Sequence, residues 1–224
     1  MKLLIAALAL GAPLATAPAS AAVAPVTAPA SDLDGLVQLL LPEQQLLEMT
    51  VVAAGTGLDD VYGGDFARYP GMRDYVLAQI KPEMNAAFIA SLPELRKSIA
   101  AILARELTPQ EITELYTFFA SPTGRKLYAI MIEVAGKNAA DSDEVIQKKM
   151  MDQIMANMTP DDYGPLATFG ASSGAAKVQQ FMPAVTEASR EWTDKLVAQH
   201  GPRIRAVADK AVTDYKRQYP AAGK

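Results

Sequence analysis

Apolar residues recur at intervals of three or four positions along most of this chain, and no other feature of the sequence constrains the fold as strongly. The spacing starts at Leu33, and its longest stripe runs from Ile80 to Leu103. This interval places apolar side chains on one face of an α-helix, where other helices can bury them. No stretch alternates apolar and polar residues over the length of a strand. The sequence therefore predicts an all-α fold, a helical bundle over residues 32–220.

Three features interrupt this helical spacing. Pro82 and Pro93 fall inside the longest stripe, and each is expected to open a helix or to kink one. His200 is followed by Gly-Pro, which predicts the end of one helix and the start of the next. The segment 55–71 holds five glycines, so we expect a long loop there.

Two segments of the sequence resemble each other. A shift of 51 residues aligns residues 107–134 with residues 158–185, and ten of these 28 positions are identical. In the first copy, Thr108 and Glu111 have the spacing of a capping box. Ser121 is placed to cap a second helix after a short turn, and proline follows both caps. We interpret the pattern as two degenerate helix-turn-helix repeats, the second over about residues 158–199.

A short motif in the first repeat resembles that of a known family. Residues 107–111 read LTPQE and residues 118–126 read FFASPTGRK. This combination is similar to the signature of exported bacterial proteins known as domain of unknown function 2059. The resemblance implies a small helical periplasmic domain over about residues 82–137, and it implies no activity, because the family has none assigned. The second repeat departs from the signature, since Pro122, Gly124 and Arg125 are replaced there by serine or alanine.

The same motif is a candidate binding site for an anion. The N–H groups at a helix N-terminus attract negative charge, and two cations lie within the first turn. The residues of this candidate site are Ser121, Thr123, Gly124, Arg125 and Lys126. The alternative is a cap, a turn and a solvated pair of cations, with the lysine stem covering apolar surface.

Side chains for catalysis are scarce. The chain has one histidine, His200, and no cysteine, which excludes His-based metal sites and cysteine nucleophiles. We therefore expect no catalytic residue, no metal site and no cofactor. Hydrolysis by two carboxylates stays open as an alternative. Its best candidates are acidic residues in the glycine-rich segment and beside the first repeat, namely Asp59, Asp60, Asp65, Glu106 and Glu111.

Methionines are clustered in the region between the repeats. Met150, Met151, Met155 and Met158 have helical spacing, which favours packing into a core. A methionine-rich surface that binds apolar partners is the alternative. Trp192 is expected to anchor the C-terminal pair of helices.

The N-terminus has the features of a signal peptide over residues 1–21. Lys2 precedes an apolar run, and residues 19–21 read ASA, which fits cleavage after Ala21. The apolar run is shorter than the ~20 residues that span a bilayer. Residues 22–31 contain mainly alanine, proline, valine and threonine, and we expect them to form a disordered spacer. These features predict a periplasmic protein.

The remaining sequence limits the classes of partner. Removal of residues 1–21 leaves 203 residues with a net charge of −5, which argues against nucleic acid. We expect a non-catalytic binding module without an integral membrane segment in its mature form. Its partner would be a protein, a peptide or an apolar ligand, held in a groove between the repeated hairpins. The alternative is a carboxylate-dependent hydrolase of an envelope polymer. Weak attachment of the first helix to a membrane surface is disfavoured by acidic residues around it.

Overall fold

The computed structural model describes residues 30–138 and 141–219, so the predicted signal peptide and residues 22–29 of the predicted spacer lie outside the described residues. Within these ranges all regular structure is helical, which confirms the predicted fold class. No helix there is both long and apolar enough to cross a membrane. The helices are α1 (Ala30–Leu40), α2 (Glu43–Arg68), α3 (Met72–Glu106), α4 (Pro109–Ala120), α5 (Pro122–Lys137), α6 (Asp143–Asn157), α7 (Pro160–Gly170) and α8 (Ser173–Gln218).

The chain divides into two compact units. Among the described residues, the first unit contains 30–41 and 95–191, and the second contains 42–94 and 192–219. The chain passes from the second unit to the first within α3, between residues 94 and 95, and back to the second within α8, between residues 191 and 192. Each unit has a buried apolar core of its own.

The core of the first unit brings together the apolar faces of α1, α3 to α6 and α8. Its most deeply buried side chains come from stripes that the helical spacing predicted. They include Leu36, Leu95, Ile99, Leu103, Leu115, Ile146, Met150 and Phe181.

The core of the second unit lies among α2, the first half of α3 and the end of α8. Its buried members are Leu58, Met72, Val76, Ile80, Met84, Ala208, Ala211 and Val212. Trp192 packs its ring edge-on against Phe88, with 5.6 Å between ring centroids, and its Nε1 donates to the carbonyl of Ser91 at 3.0 Å. Trp192 therefore anchors α8 on α3.

The glycine-rich segment 55–71 is not a long loop, and that prediction is wrong. α2 continues through Arg68, and among the described residues only Gly71 has a positive φ, of 84°. A glycine inside a helix costs up to about 1 kcal/mol relative to alanine. Tertiary contacts oppose that cost, because Leu58 is buried and Tyr62 donates to Asp209 at 2.5 Å.

The predicted helix break after His200 is also wrong. α8 passes through Gly201 and Pro202 without ending. Ion pairs to α3 fix the helix on both sides of this point, from Lys195 to Glu94 at 3.0 Å and from Arg203 to Glu83 at 2.8 Å.

The two prolines of the longest stripe do not open helices either. Pro82 and Pro93 both lie inside α3. A proline removes one hydrogen bond from the helix ladder. Buried apolar neighbours such as Met84 and Leu92 keep the helix in place across these positions.

Candidate functional site

Two helical hairpins of the first unit contain the residues that the sequence singles out. The first hairpin is α4–α5 and the second is α7 with the start of α8. α4 and α7 begin at Pro109 and Pro160, and α5 and α8 begin at Pro122 and Ser173, so both pairs are separated by the 51 residues of the predicted repeat. The two hairpins therefore have the same local architecture at the aligned positions.

The predicted caps of the first hairpin are confirmed. Thr108 Oγ accepts from the backbone N–H of Glu111 at 3.3 Å, and the Glu111 carboxylate accepts from Thr108 N at 2.7 Å. Ser121 Oγ accepts from Gly124 N at 3.0 Å and caps α5. A Cβ on Gly124 would lie 1.9 Å from the carbonyl oxygen of Phe118, so the turn between α4 and α5 requires glycine.

The two hairpins pack directly against each other through aromatic rings. Phe118 and Phe169, which the repeat aligns, stack with 3.8 Å between ring centroids and an interplanar angle of 6°. Phe119 packs against both rings with edge-on geometry, at 5.3 Å and 5.9 Å. At this point the predicted groove between the hairpins is filled by the protein's own side chains.

Carboxylates join the hairpins in both directions. Asp162 of α7 accepts from Thr123 Oγ of α5 at 2.8 Å and from Lys126 Nζ at 2.5 Å. Glu114 of α4 accepts from Ser173 Oγ at 3.0 Å and from Gly174 N of α8 at 2.9 Å. Each first helix thus supplies a carboxylate to the N-terminus of the other hairpin's second helix. The two carboxylates are not equivalent in the repeat, because Asp162 aligns with Glu111 and Glu114 aligns with Pro165.

Asp162 is the most strongly held charge in this arrangement. Its carboxylate also accepts from Thr159 N at 2.9 Å and from Thr159 Oγ at 2.8 Å, and the residue is only 5% exposed. The hydrogen bond from Lys126 does most to hold the pKa of Asp162 well below its ordinary value, and the bonds from Thr159 and Thr123 add to it. Asp162 therefore stays ionised inside the interface.

The structure places the five predicted anion-site residues in different roles. Ser121 caps α5, Gly124 allows the tight turn, and Thr123 and Lys126 hold Asp162. Arg125 is exposed on α5. The motif does hold an anion, and that anion is a carboxylate of the same chain. Binding of a free anion at these residues stays a prediction, and such a ligand would compete with Asp162.

Most of the predicted candidates for carboxylate chemistry have structural partners. Asp59 forms a two-point ion pair with Arg73, at 2.7 Å and 2.9 Å. The hydrogen bond from Arg73 lowers the pKa of Asp59, which is opposite to the direction that a general acid requires. Asp65 pairs with Lys216 at 2.7 Å. Glu111 belongs to the capping box of α4, and Asp60 is exposed.

The remaining acidic candidate and the histidine do not form a site together. Glu106 pairs with Arg105 at 2.8 Å, in the first unit. His200 is half-buried in α8, in the second unit. No group of three or more acidic or histidine side chains in the described part of the chain is placed to hold a metal ion.

The methionines between the repeats are divided between core and surface. Met150 is buried at 1% exposure, as the spacing predicts, whereas Met155 is 72% exposed and Met151 is 43% exposed. Two exposed methionines on one short helix are ordinary for a protein surface.

Sequence reasoning missed two residues of the interface, Asp162 and Glu114. The alignment of the repeats carried one signal for Asp162, because it places this residue opposite Glu111, a capping acid. No comparable signal marked Glu114, whose partners lie about 60 residues further along the chain.

Comparison with known families agrees with the resemblance seen in the sequence. Residues 93–159 match the model of a family described as "Uncharacterized protein conserved in bacteria (DUF2059)". The matching segment starts and ends later than the expected 82–137, and it stops one residue before α7. No curated protein and no solved structure matches the chain.

Proposed function

We propose that this chain is an exported, non-catalytic helical protein that binds a protein, a peptide or an apolar ligand in the periplasm. Export rests on the features of residues 1–21, namely Lys2, the apolar run and the ASA sequence before the expected cleavage point.

One observation carries the binding role. The carboxylate of Asp162, which lies outside the family-matching segment, is held by Thr123 and Lys126 inside it. The motif that defines the resemblance therefore works as a recognition element for a helix that presents an acidic residue in its first turn. The family-matching segment also packs against α1, which lies outside it, through apolar contacts. It therefore binds helices from other parts of the chain both through a carboxylate and through apolar packing, which suits it to binding a partner.

The carboxylates favour the same proposal over hydrolysis. Two-carboxylate hydrolysis needs one acid with a raised pKa beside a second, ionised carboxylate. Asp59 and Asp65 instead form ion pairs with basic side chains, and they do not form a buried pair of catalytic acids. These ion pairs stabilise α2 against its neighbours in the second unit.

The proposal is tested by isolating the mature protein from periplasm and incubating it with envelope extract and with purified peptidoglycan. We expect a partner to be retained specifically and no polymer to be cleaved. Asp59→Asn and Asp65→Asn serve as matched variants, since neither lies in the first unit. An interaction protein keeps its partner in both variants. Peptidoglycan turnover that disappears in either variant would establish the hydrolase instead.

A further inference from the structure

Helix α1 lies in an apolar groove of the first unit. Leu36, Val37, Leu40 and Leu41 are between 0% and 6% exposed. Leu41 directly follows α1, and the positions i, i+1, i+4 and i+5 lie on one helical face. A Cβ on Gly35 would lie 2.7 Å from the ring of Tyr116 of α4, so glycine allows this close approach. The contact has the form of an amphipathic helix bound in a groove.

Hydrogen bonds hold both ends of α1. At its start, Asp32 accepts from Thr113 Oγ of α4 at 2.8 Å. At its end, the hydroxyl of Tyr128 of α5 donates to the carbonyl of Leu40. The adjacent carbonyl, of Leu41, accepts from Arg96 Nη2 at 3.0 Å. The groove therefore recognises the last carbonyls of a helix as well as its apolar face.

The groove and its occupant belong to different parts of the chain. Arg96, Thr113, Tyr116 and Tyr128 all lie within the family-matching residues 93–159. α1 lies outside that segment, and its first two residues are the last two of the expected spacer. The matching segment thus supplies these contacts, and another part of the chain occupies them.

One donor in this groove is left without an acceptor. Arg96 Nε is buried and donates to no group in the part of the chain that the structure describes. Nε and Nη2 form the edge of a guanidinium that binds a carboxylate at two points. Arg73 uses this same pair of atoms to hold Asp59 in the second unit. At Arg96 the acceptor is a single carbonyl, because the chain continues beyond Leu41.

We propose that this groove is the binding site of the protein, and that its partner is an amphipathic helix that ends in a free C-terminal carboxylate. The partner repeats the apolar pattern of α1, and its carboxylate takes both donors of Arg96. α1 occupies the groove in the absence of partner and is displaced on binding. The inference rests on the proposed binding function and names the site and the class of ligand.

The test uses the full mature chain and a fluorescent peptide of residues 30–41, made either with a free C-terminal carboxylate or with an amide. Leu36→Ala weakens α1 in its own groove without altering the groove itself. We expect this variant to bind the acid peptide about tenfold or more tightly than the native chain does, because a competing helix is removed. Gln38→Ala, an exposed position on α1, is the matched control and should behave as the native chain.

The carboxylate is tested in the Leu36→Ala background. The acid peptide should bind about tenfold more tightly than the amide, because a two-point ion pair replaces one hydrogen bond from the guanidinium to an uncharged carbonyl. Arg96→Lys keeps the charge but loses the paired donors, and it should abolish this difference. A structural role of Arg96 would weaken both peptides equally. Equal affinity of the two peptides before that substitution would overturn the carboxylate assignment.

Displacement of α1 is tested with a disulfide. The chain contains no cysteine, so Asp32→Cys combined with Thr113→Cys can join α1 only to α4. We expect the oxidised protein to bind neither peptide, and reduction to restore binding. Unchanged binding in the oxidised form would place the peptide elsewhere and overturn the proposal.

Two further outcomes separate this inference from the proposed function. If Leu36→Ala does not fold, Asp32→Ala in the chain removes the hydrogen bond from Thr113 to α1 but leaves Thr113 free to bind the peptide, and it is expected to increase peptide binding to a smaller extent. Failure of both folded variants to bind more tightly than the native chain would overturn the inference. A partner from envelope extract that is retained by the oxidised disulfide form would leave the binding function intact and reject this groove.

Discussion

Alanine at Gly124 should destabilise the protein, although alanine is normally the better residue in a helix. The added Cβ would lie 1.9 Å from the carbonyl oxygen of Phe118 and 2.9 Å from Cα of Phe119. Both obstacles are backbone atoms, so rotation of a side chain cannot relieve the overlap. The two backbones must separate by roughly 1.5 Å or more to reach ordinary contact.

The magnitude follows from the contacts that such a shift would disturb. The Phe118 carbonyl accepts from Ser121 N at 3.0 Å and from Ser121 Oγ at 2.6 Å. Overpacking typically costs about 1–3 kcal/mol. Weakening of these hydrogen bonds adds about 1 kcal/mol. The better helix propensity of alanine returns at most about 1 kcal/mol. We expect a net loss of about 1–3 kcal/mol from the free energy of unfolding.

Urea unfolding followed by circular dichroism at the helix minimum measures this change. Gly57→Ala in α2 is the matched control, because this glycine is exposed and its added Cβ would meet no atom within 4 Å beyond its own stretch of helix. That variant should gain about 0.5–1 kcal/mol. The opposite signs of the two substitutions distinguish the clash from helix propensity. A Gly124→Ala variant as stable as the native protein would refute the geometry of the α4–α5 turn.

Three further predictions concern the interface and the second unit. Asp162→Asn should lower stability at neutral pH. Because the folded pKa of Asp162 is depressed, the ionised carboxylate contributes to the free energy of unfolding above its ordinary pKa of 3.8, and this contribution is lost as the pH falls through the folded pKa. The stabilities of the native protein and the variant should therefore converge in acid unfolding curves. Phe118→Ala should lower the free energy of unfolding by about 3–5 kcal/mol. In a double-mutant cycle with Phe169→Ala the two losses should be non-additive, and additive losses would contradict the stacking contact. Burial and the hydrogen bond to Asp209 raise the pKa of Tyr62 to about 12, and burial raises the pKa of Tyr128 still further. Spectrophotometric titration should therefore show late-titrating tyrosines, one of which Asp209→Ala moves to lower pH, and an unmoved titration would contradict the contact.

Local signals in the sequence predicted the hairpin elements well. The caps at Thr108 and Ser121 depend on residues three positions apart, and the structure has both. The apolar spacing likewise identified the buried faces, because it follows from helix geometry alone.

Tertiary contacts explain where the sequence misled. Glycines in α2 and the Gly-Pro after His200 are helix breakers by propensity, yet both helices continue because side chains far away in the sequence hold them. The sequence predicts Lys126 as a potential anion ligand, but its partner Asp162 lies 36 residues further along the chain. Pairings over such distances depend on how the hairpins pack, which the spacing of residues within a helix does not encode.

Native mass spectrometry of the protein isolated from periplasm is the most direct test of its proposed role as an exported interaction module. We predict a chain that begins at Ala22 and carries a noncovalently bound mass, which the acid-ended peptide of residues 30–41 displaces. A bare chain that begins at Ala22 would contradict the binding role. A chain that retains residues 1–21 would contradict export.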